Sequence, residues 1–116
     1  MNYPLALLLT LTIEAPVYVP ALVRGLGWDP WAAVGAAVGV NLVTHPLVWL
    51  ILPSGGGGHN AYWTLLPVVE VGAWLVEFGL LAALARRRYA LLLMTALLAN
   101  AASLVVGAAL IWVSGQ

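Results

Sequence analysis

Four apolar segments, each about twenty residues long, fill most of the chain and are separated by three short breaks. A helix of that length crosses the roughly 30 Å hydrocarbon core of a bilayer. The predicted spans are approximately residues 4–23, 31–52, 62–84 and 89–113. Because the connections are short, consecutive helices should run antiparallel. We therefore predict an all-α membrane protein, with residues 1–116 forming a single transmembrane domain that is a four-transmembrane-helix antiparallel bundle.

The composition excludes several classes of function. The chain is 64% hydrophobic and only 7% charged, with a mean hydropathy of +1.04, which is far from the composition of soluble domains. Four basic residues balance four acidic ones, so no basic surface points to nucleic acid. The absence of cysteine excludes disulfides, thiolate metal sites and thiol nucleophiles. Glu14 interrupts the first apolar segment, which no basic region precedes, so we expect this segment to be retained as a span.

The three breaks carry distinct local signals. In "RGLGWDP", Asp29 is placed to cap a helix that begins at Pro30. The second break, "PSGGGGHNAY", contains four consecutive glycines, which predict a flexible loop. The third, "ARRRY", predicts a tight turn between antiparallel helices.

The basic residues predict an orientation. All four, Arg24 and Arg86 to Arg88, fall in the first and third breaks, which lie at the same end of a four-span bundle. Positive residues concentrate on the cytoplasmic side of membrane proteins. We therefore predict a multi-pass protein of the cell's inner (plasma) membrane, with these turns cytoplasmic and with both termini and the Gly55–Gly58 loop outside.

Ionisable residues lie inside the predicted spans, where they must face the bundle interior, a partner or water. Counting about 1.5 Å per residue from the outer ends places Glu14, His45 and Glu70 in one layer and Glu77 nearly two turns deeper. Two carboxamides lie on polar helix faces and add to this layer. The predicted ion- or proton-binding residues are Glu14, His45, Glu70, Glu77, Asn41 and Asn100.

Three prolines are predicted helix breaks, because a proline has no N–H and frees the carbonyl four residues before it. They are Pro16, Pro20 and Pro46. Freed carbonyls beside carboxyl groups and one imidazole suit a proton or a hard to borderline divalent ion. If a metal binds, we expect Glu14, His45 and Glu70 to hold it, and we expect no other cofactor.

A structural interpretation of the same residues stays open. Protonated carboxyls bonded to asparagine or histidine act as interhelical glue in small membrane proteins. A single histidine with no second one a turn away is a weak metal signal, and prolines also shape bundles. Gly35 and Gly39 form a GxxxG pattern on the face opposite Asn41, which favours contact with another helix.

Three functions follow from these features. The first is a proton- or cation-coupled transporter of a small solute, or an ion-binding membrane protein, acting as an oligomer because four spans enclose little space. The second is a non-catalytic accessory or structural subunit of a larger membrane complex. The third, an intramembrane enzyme built on Glu14, His45 and Glu70, ranks last because HExxH and GxSxG motifs are absent. The expected partners are the lipid bilayer and either a second copy or another membrane protein.

Four ordered motifs carry a resemblance over nearly the whole chain: "IEAP", "NLVTHPLVW", "VEVGAWLVE" and "LLANAASLVVG". Together they resemble small four-span bacterial integral membrane proteins. The resemblance implies a four-span membrane fold and brings no activity, cofactor or site residue with it. The chain is unlike the small multidrug transporters and the small fluoride channels, because their surrounding patterns are missing here.

Overall fold

Four long helices form the protein in a computed structural model that describes residues 3–51 and 58–114. The helices are α1 (Tyr3–Pro20), α2 (Pro30–Ile51), α3 (Gly58–Ala85) and α4 (Tyr89–Ser114). Each helix provides a 22-residue stretch that is long and apolar enough to cross a membrane, and the stretch that starts in α1 continues to Gly25. The predicted fold class, an all-α four-helix membrane protein, is confirmed.

The helices pack as a ring in which α1 contacts α2, α2 contacts α3, α3 contacts α4, and α4 closes back onto α1. The longest dimension of the bundle is 44 Å, which exceeds the roughly 30 Å thickness of the hydrocarbon core. Because the helices form a ring, side chains that point toward its axis meet at the centre of the bundle. Because the bundle is longer than the hydrocarbon core is thick, that centre lies at membrane depth.

The chain leaves regular α-helical geometry directly after Pro20. Residues Ala21–Gly25 form a π-helical turn, and Gly27, with φ of 74°, ends the helical path. A left-handed residue at a helix end is usually glycine, because it has no Cβ to clash, although Arg86, with φ of 55°, takes this position after α3. Pro16 and Pro46, although predicted as breaks, lie inside continuous helices.

Asp29 caps α2 as the sequence predicts. Its Oδ2 accepts hydrogen bonds from the backbone N–H groups of Trp31 at 3.0 Å and Ala32 at 3.2 Å. Pro30 is the first residue of the helix, where a missing N–H costs nothing. The start of α2 is therefore fixed by the sequence immediately around it.

The α3–α4 turn holds the first connection in place. Arg87 Nη2 donates to the carbonyl of Leu26, and Arg88 Nη1 donates to the carbonyl of Gly25 at 2.7 Å. Arginines at a helix C-terminus supply donors to unpaired carbonyls and complement the helix dipole. The predicted tight turn is confirmed, and this end of the bundle, with all four arginines, is called the arginine end.

The opposite end, where α2 leads into α3, is called the loop end. Residues 52–57, which include most of the predicted glycine loop, lie outside the described residues. The last part of that predicted loop belongs to α3, which begins at Gly58 rather than near residue 62. Glycine is tolerated at a helix N-terminus far better than in a helix interior, so the glycine run does not prevent this earlier start.

Buried apolar side chains concentrate at the arginine end. Leu22, Leu81 and Leu92 are almost completely inaccessible and belong to one cluster with neighbouring alanines. Among the described residues on the loop-end side of the bundle centre, the buried apolar side chains are those of Leu66 and Ala73. Among the described side chains, packing is therefore tight at the arginine end and loose toward the loop end.

Candidate functional site

The carboxyl group of Glu77 lies at the centre of the bundle and joins all four helices. Its Oε1 accepts hydrogen bonds from the Tyr18 hydroxyl at 2.5 Å and from Asn100 Nδ2 at 3.0 Å. Its Oε2 accepts one from the Thr44 hydroxyl at 2.7 Å. Tyr18 belongs to α1, Thr44 to α2 and Asn100 to α4. Glu77, on α3, is only 1% exposed, so water does not compete for these bonds.

Two of the three donors also bond to their own helix. Asn100 has two amide protons and donates the second to the carbonyl of Ala96 at 2.9 Å. The Thr44 hydroxyl is also 3.0 Å from the carbonyl of Val40. For Tyr18, which is fully buried, Glu77 is the acceptor. These secondary bonds hold the donors in place around the carboxyl group.

Glu14 supplies a second carboxyl group and is 2% exposed. Ser103 and Asn41 are its polar neighbours, and the carboxyl groups of Glu77 and Glu70 lie within electrostatic range. Its Oε1 is buried and accepts no hydrogen bond. Glu14 is therefore a buried carboxyl group with spare capacity to bind a proton or a donor.

The charges around this pair are all of one sign. The four basic residues of the chain lie at the arginine end, and the titratable side chains that interact with the pair are those of Tyr18 and Glu70. From α2 and α4 the neighbours are uncharged carboxamides and hydroxyls. Within residues 4–51 and 64–110, the Glu14–Glu77 pair thus has hydrogen-bond donors but no neutralising basic side chain.

Glu70 and His45 lie on the loop-end side of the pair. Glu70 is half-buried and precedes Glu77 by seven residues, on the same face of α3. The half-buried His45 ring stacks on Trp49, with ring centroids 6.2 Å apart. Within residues 3–51 and 58–114, no three His, Cys, Asp or Glu side chains are arranged to hold a metal ion. The expected metal ligands Glu14, His45 and Glu70 are therefore not gathered into one site.

The depth estimate from the sequence differs from the observed arrangement. It places Glu14 beside Glu70 and His45, with Glu77 deeper, whereas Glu14 and Glu77 occupy the same buried core. Counting from each predicted outer end treats those ends as level. Because α3 begins at Gly58, it extends about one turn further than predicted, and depths counted along different helices are not comparable.

Three site residues stand outside the set that the sequence predicts: Tyr18, Thr44 and Ser103. Each lies one helical turn after a predicted residue, since Tyr18 follows Glu14 by four positions and Thr44 follows Asn41 by three. Ser103 follows Asn100 by three. That spacing places both members of each pair on one helix face, and it is the signal that identifies them.

The chain matches no protein family model, no curated protein and no solved structure. Its function is therefore inferred from the side chains of the site and from their surroundings, because a fold alone does not specify a function.

Proposed function

We propose that this protein is a proton-coupled membrane transporter that binds and releases one proton at the Glu14–Glu77 pair. The observation that supports the proposal is the burial of two interacting carboxyl groups that have no basic side chain beside them among the residues the structure describes. An isolated carboxylate is costly in apolar surroundings, and a second one nearby adds repulsion. The pair therefore retains one proton or another cation.

Thr44 allows Glu77 to exist in either protonation state. The Thr44 hydroxyl has one proton and two acceptors in reach, Glu77 Oε2 at 2.7 Å and the Val40 carbonyl at 3.0 Å. When Glu77 is ionised, the hydroxyl donates to it. When Glu77 carries a proton on Oε2, that proton is donated to Thr44, which donates in turn to Val40. Both states are fully hydrogen-bonded, which favours exchange without rearrangement.

The unpaired Oε1 of Glu14 favours a functional site over a purely structural role in which polar side chains only hold the helices together. Polar groups that serve only to hold membrane helices together should be satisfied by one another, since an unpaired buried group costs about 1–3 kcal/mol. Glu14 Oε1 has no such partner. A carboxyl oxygen without a hydrogen-bond donor is available to bind a proton or an ion.

We further propose that the transporter acts as an oligomer. The ring of four helices encloses little space, and Gly35 and Gly39 are exposed on α2 with open space around them. Small residues allow a helix of a second copy to approach closely. Native mass spectrometry of gently extracted protein should show more than one copy per particle, and a strictly monomeric spectrum would count against this arrangement.

The proton at the pair is tested by infrared spectroscopy of the protein in lipid. We expect a protonated-carboxyl stretching band with a component that disappears as the pH is raised and that is missing in Glu14→Gln, whatever Glu70 contributes to the rest of the band. Glu70→Gln, the same substitution at a half-buried position, is the matched control and should retain that component. A band that does not respond to pH, or that persists in both Glu14→Gln and Glu77→Gln, would refute proton exchange at the pair.

We also propose that the arginine end faces the cytoplasm of a cell whose plasma membrane the protein spans, following the positive-inside rule. The chain has no cysteine, so single cysteines report the orientation without background. In intact cells, a membrane-impermeant maleimide should label Ser54→Cys, between α2 and α3. It should label Tyr89→Cys, at the start of α4, only after permeabilisation. The reverse pattern would show that the orientation is inverted.

A further inference from the structure

An apolar groove runs between α2 and α3 at the loop end and stops at Thr44. It has a volume of about 320 Å³ and is lined by Leu47 and Ile51 of α2 and by Leu65, Val69 and Gly72 of α3, among others. Thr44 also lines the groove and is the polar residue among those that line it. Because Thr44 bonds to Glu77 Oε2, the inner end of an apolar groove is one hydroxyl away from a buried carboxyl group.

From this geometry we infer that the groove binds lipophilic primary ammonium ions, and that these are the solutes exchanged for the proton. The inference rests on the proposed function and names the substrate class of the same site. The apolar walls suit an alkyl chain, since the hydrophobic effect favours removing it from water. The ammonium group is placed to donate to the Thr44 hydroxyl, which donates in turn to Glu77. Its charge then lies beside a carboxyl pair that has no basic partner among the described side chains.

The charge balance sets the direction of exchange. The pair retains one positive charge at a time, because two neighbouring buried carboxylates repel. When an alkylammonium ion enters the groove, its charge replaces that of the proton, and one proton leaves the pair. Loss of the ammonium ion restores the protonated pair. An alcohol of the same chain length has no charge and leaves the proton in place.

Gly72 provides a way to block the groove without altering the carboxyl groups. A Cβ added at Gly72 has open space around it, with no heavy atom within 4 Å. Because Gly72 lines the groove, we expect a leucine there to occupy part of it. Gly79 lies seven residues later on the same face of α3, is equally open, and is outside the groove lining. Gly79→Leu is therefore the matched control for Gly72→Leu.

The test uses a decylamine with a photoreactive diazirine at the end of its chain, bound to the protein in neutral lipid nanodiscs. Photolabelling should map to groove residues of α2 and α3. Unlabelled decylamine should compete at least about tenfold better than decanol, the advantage expected of a charge-assisted hydrogen bond, and decyl sulfate should not compete. We expect Gly72→Leu to lose this labelling and Gly79→Leu to keep it, with one proton released per amine bound.

Equal competition by decanol would show that the groove holds hydrocarbon of any kind, and would overturn the inference. Labelling spread evenly over the lipid-facing helix surfaces would do the same. Neither result affects the pH-dependent infrared band of the Glu14–Glu77 pair, so a failed substrate class is distinguishable from a failed proton site. If the wild-type protein showed neither the pH-dependent band nor selective amine binding, both proposals would be refuted.

Discussion

Replacing Glu77 with leucine should lower the free energy of unfolding by about 1–3 kcal/mol and abolish proton exchange. Thr44 keeps the carbonyl of Val40 as an acceptor. Asn100 keeps the carbonyl of Ala96 for one amide proton but loses Glu77 as the acceptor of the other. The fully buried Tyr18 hydroxyl also loses its acceptor, and unsatisfied buried donors cost about that much. Unfolding in detergent, followed by circular dichroism, measures the stability change, and the protonated-carboxyl band reports the exchange.

A second substitution separates the structural role of Glu77 from its proposed functional role. Adding Tyr18→Phe to the Glu77→Leu variant removes the orphaned hydroxyl but not the orphaned Asn100 amide proton, so the double variant should recover part of the lost stability. Proton exchange should stay absent in it. A double variant that is less stable than Glu77→Leu alone would show that the Tyr18–Glu77 bond is not the main cost of the substitution.

Leu81→Ala should destabilise the bundle by about 2–5 kcal/mol, the usual cost of a cavity at a fully buried leucine. Leu81 is 0% exposed and packs in the cluster at the arginine end. In a membrane, helix association depends on close packing rather than on expulsion of water, so the resulting void is costly. Reversible unfolding of the detergent-solubilised protein provides the measurement.

Leu84→Ala is the control for this cavity. Leu84 lies three residues further along α3 and is 65% exposed to the surroundings of the bundle. Its replacement should change the unfolding free energy by less than about 0.5 kcal/mol, as is usual away from packed positions. Similar losses in the two variants would contradict the tight packing described for the arginine end.

Much of the fold follows from local signals in the sequence. Helices of about twenty apolar residues are dictated by the bilayer, because unpaired backbone groups are too costly in lipid. Asp29 and Pro30 predict the start of α2 from chemistry within one helical turn, and the structure confirms it. The "ARRRY" turn is predicted equally well, although the bonds from Arg87 and Arg88 to the first connection are tertiary contacts.

The arrangement of the site depends on quantities that no local pattern contains. Helical periodicity places Glu14 and Tyr18 on one face of α1, and Asn41 and Thr44 on one face of α2. It does not give the relative rotation and axial stagger of different helices. Those two quantities bring Glu77 of α3 to Tyr18 of α1, across the axis of the ring. The central role of Glu77 is therefore a property of the packed bundle.

The confinement of the arginines to one end has a consequence for membranes of different thickness. Arg24 and Arg86 to Arg88 anchor that end at a polar headgroup layer, while the chain beyond Glu14 and Glu70 toward the loop end carries no Asp, Glu, Lys or Arg. A thicker or thinner bilayer produces hydrophobic mismatch. The exposed tryptophans Trp49 and Trp112 also favour the interface at the loop end, but they carry no charge, so that end should adjust more readily than the arginine end. Because α2 and α3 border the groove there, lipid chain length should change the width of its open end.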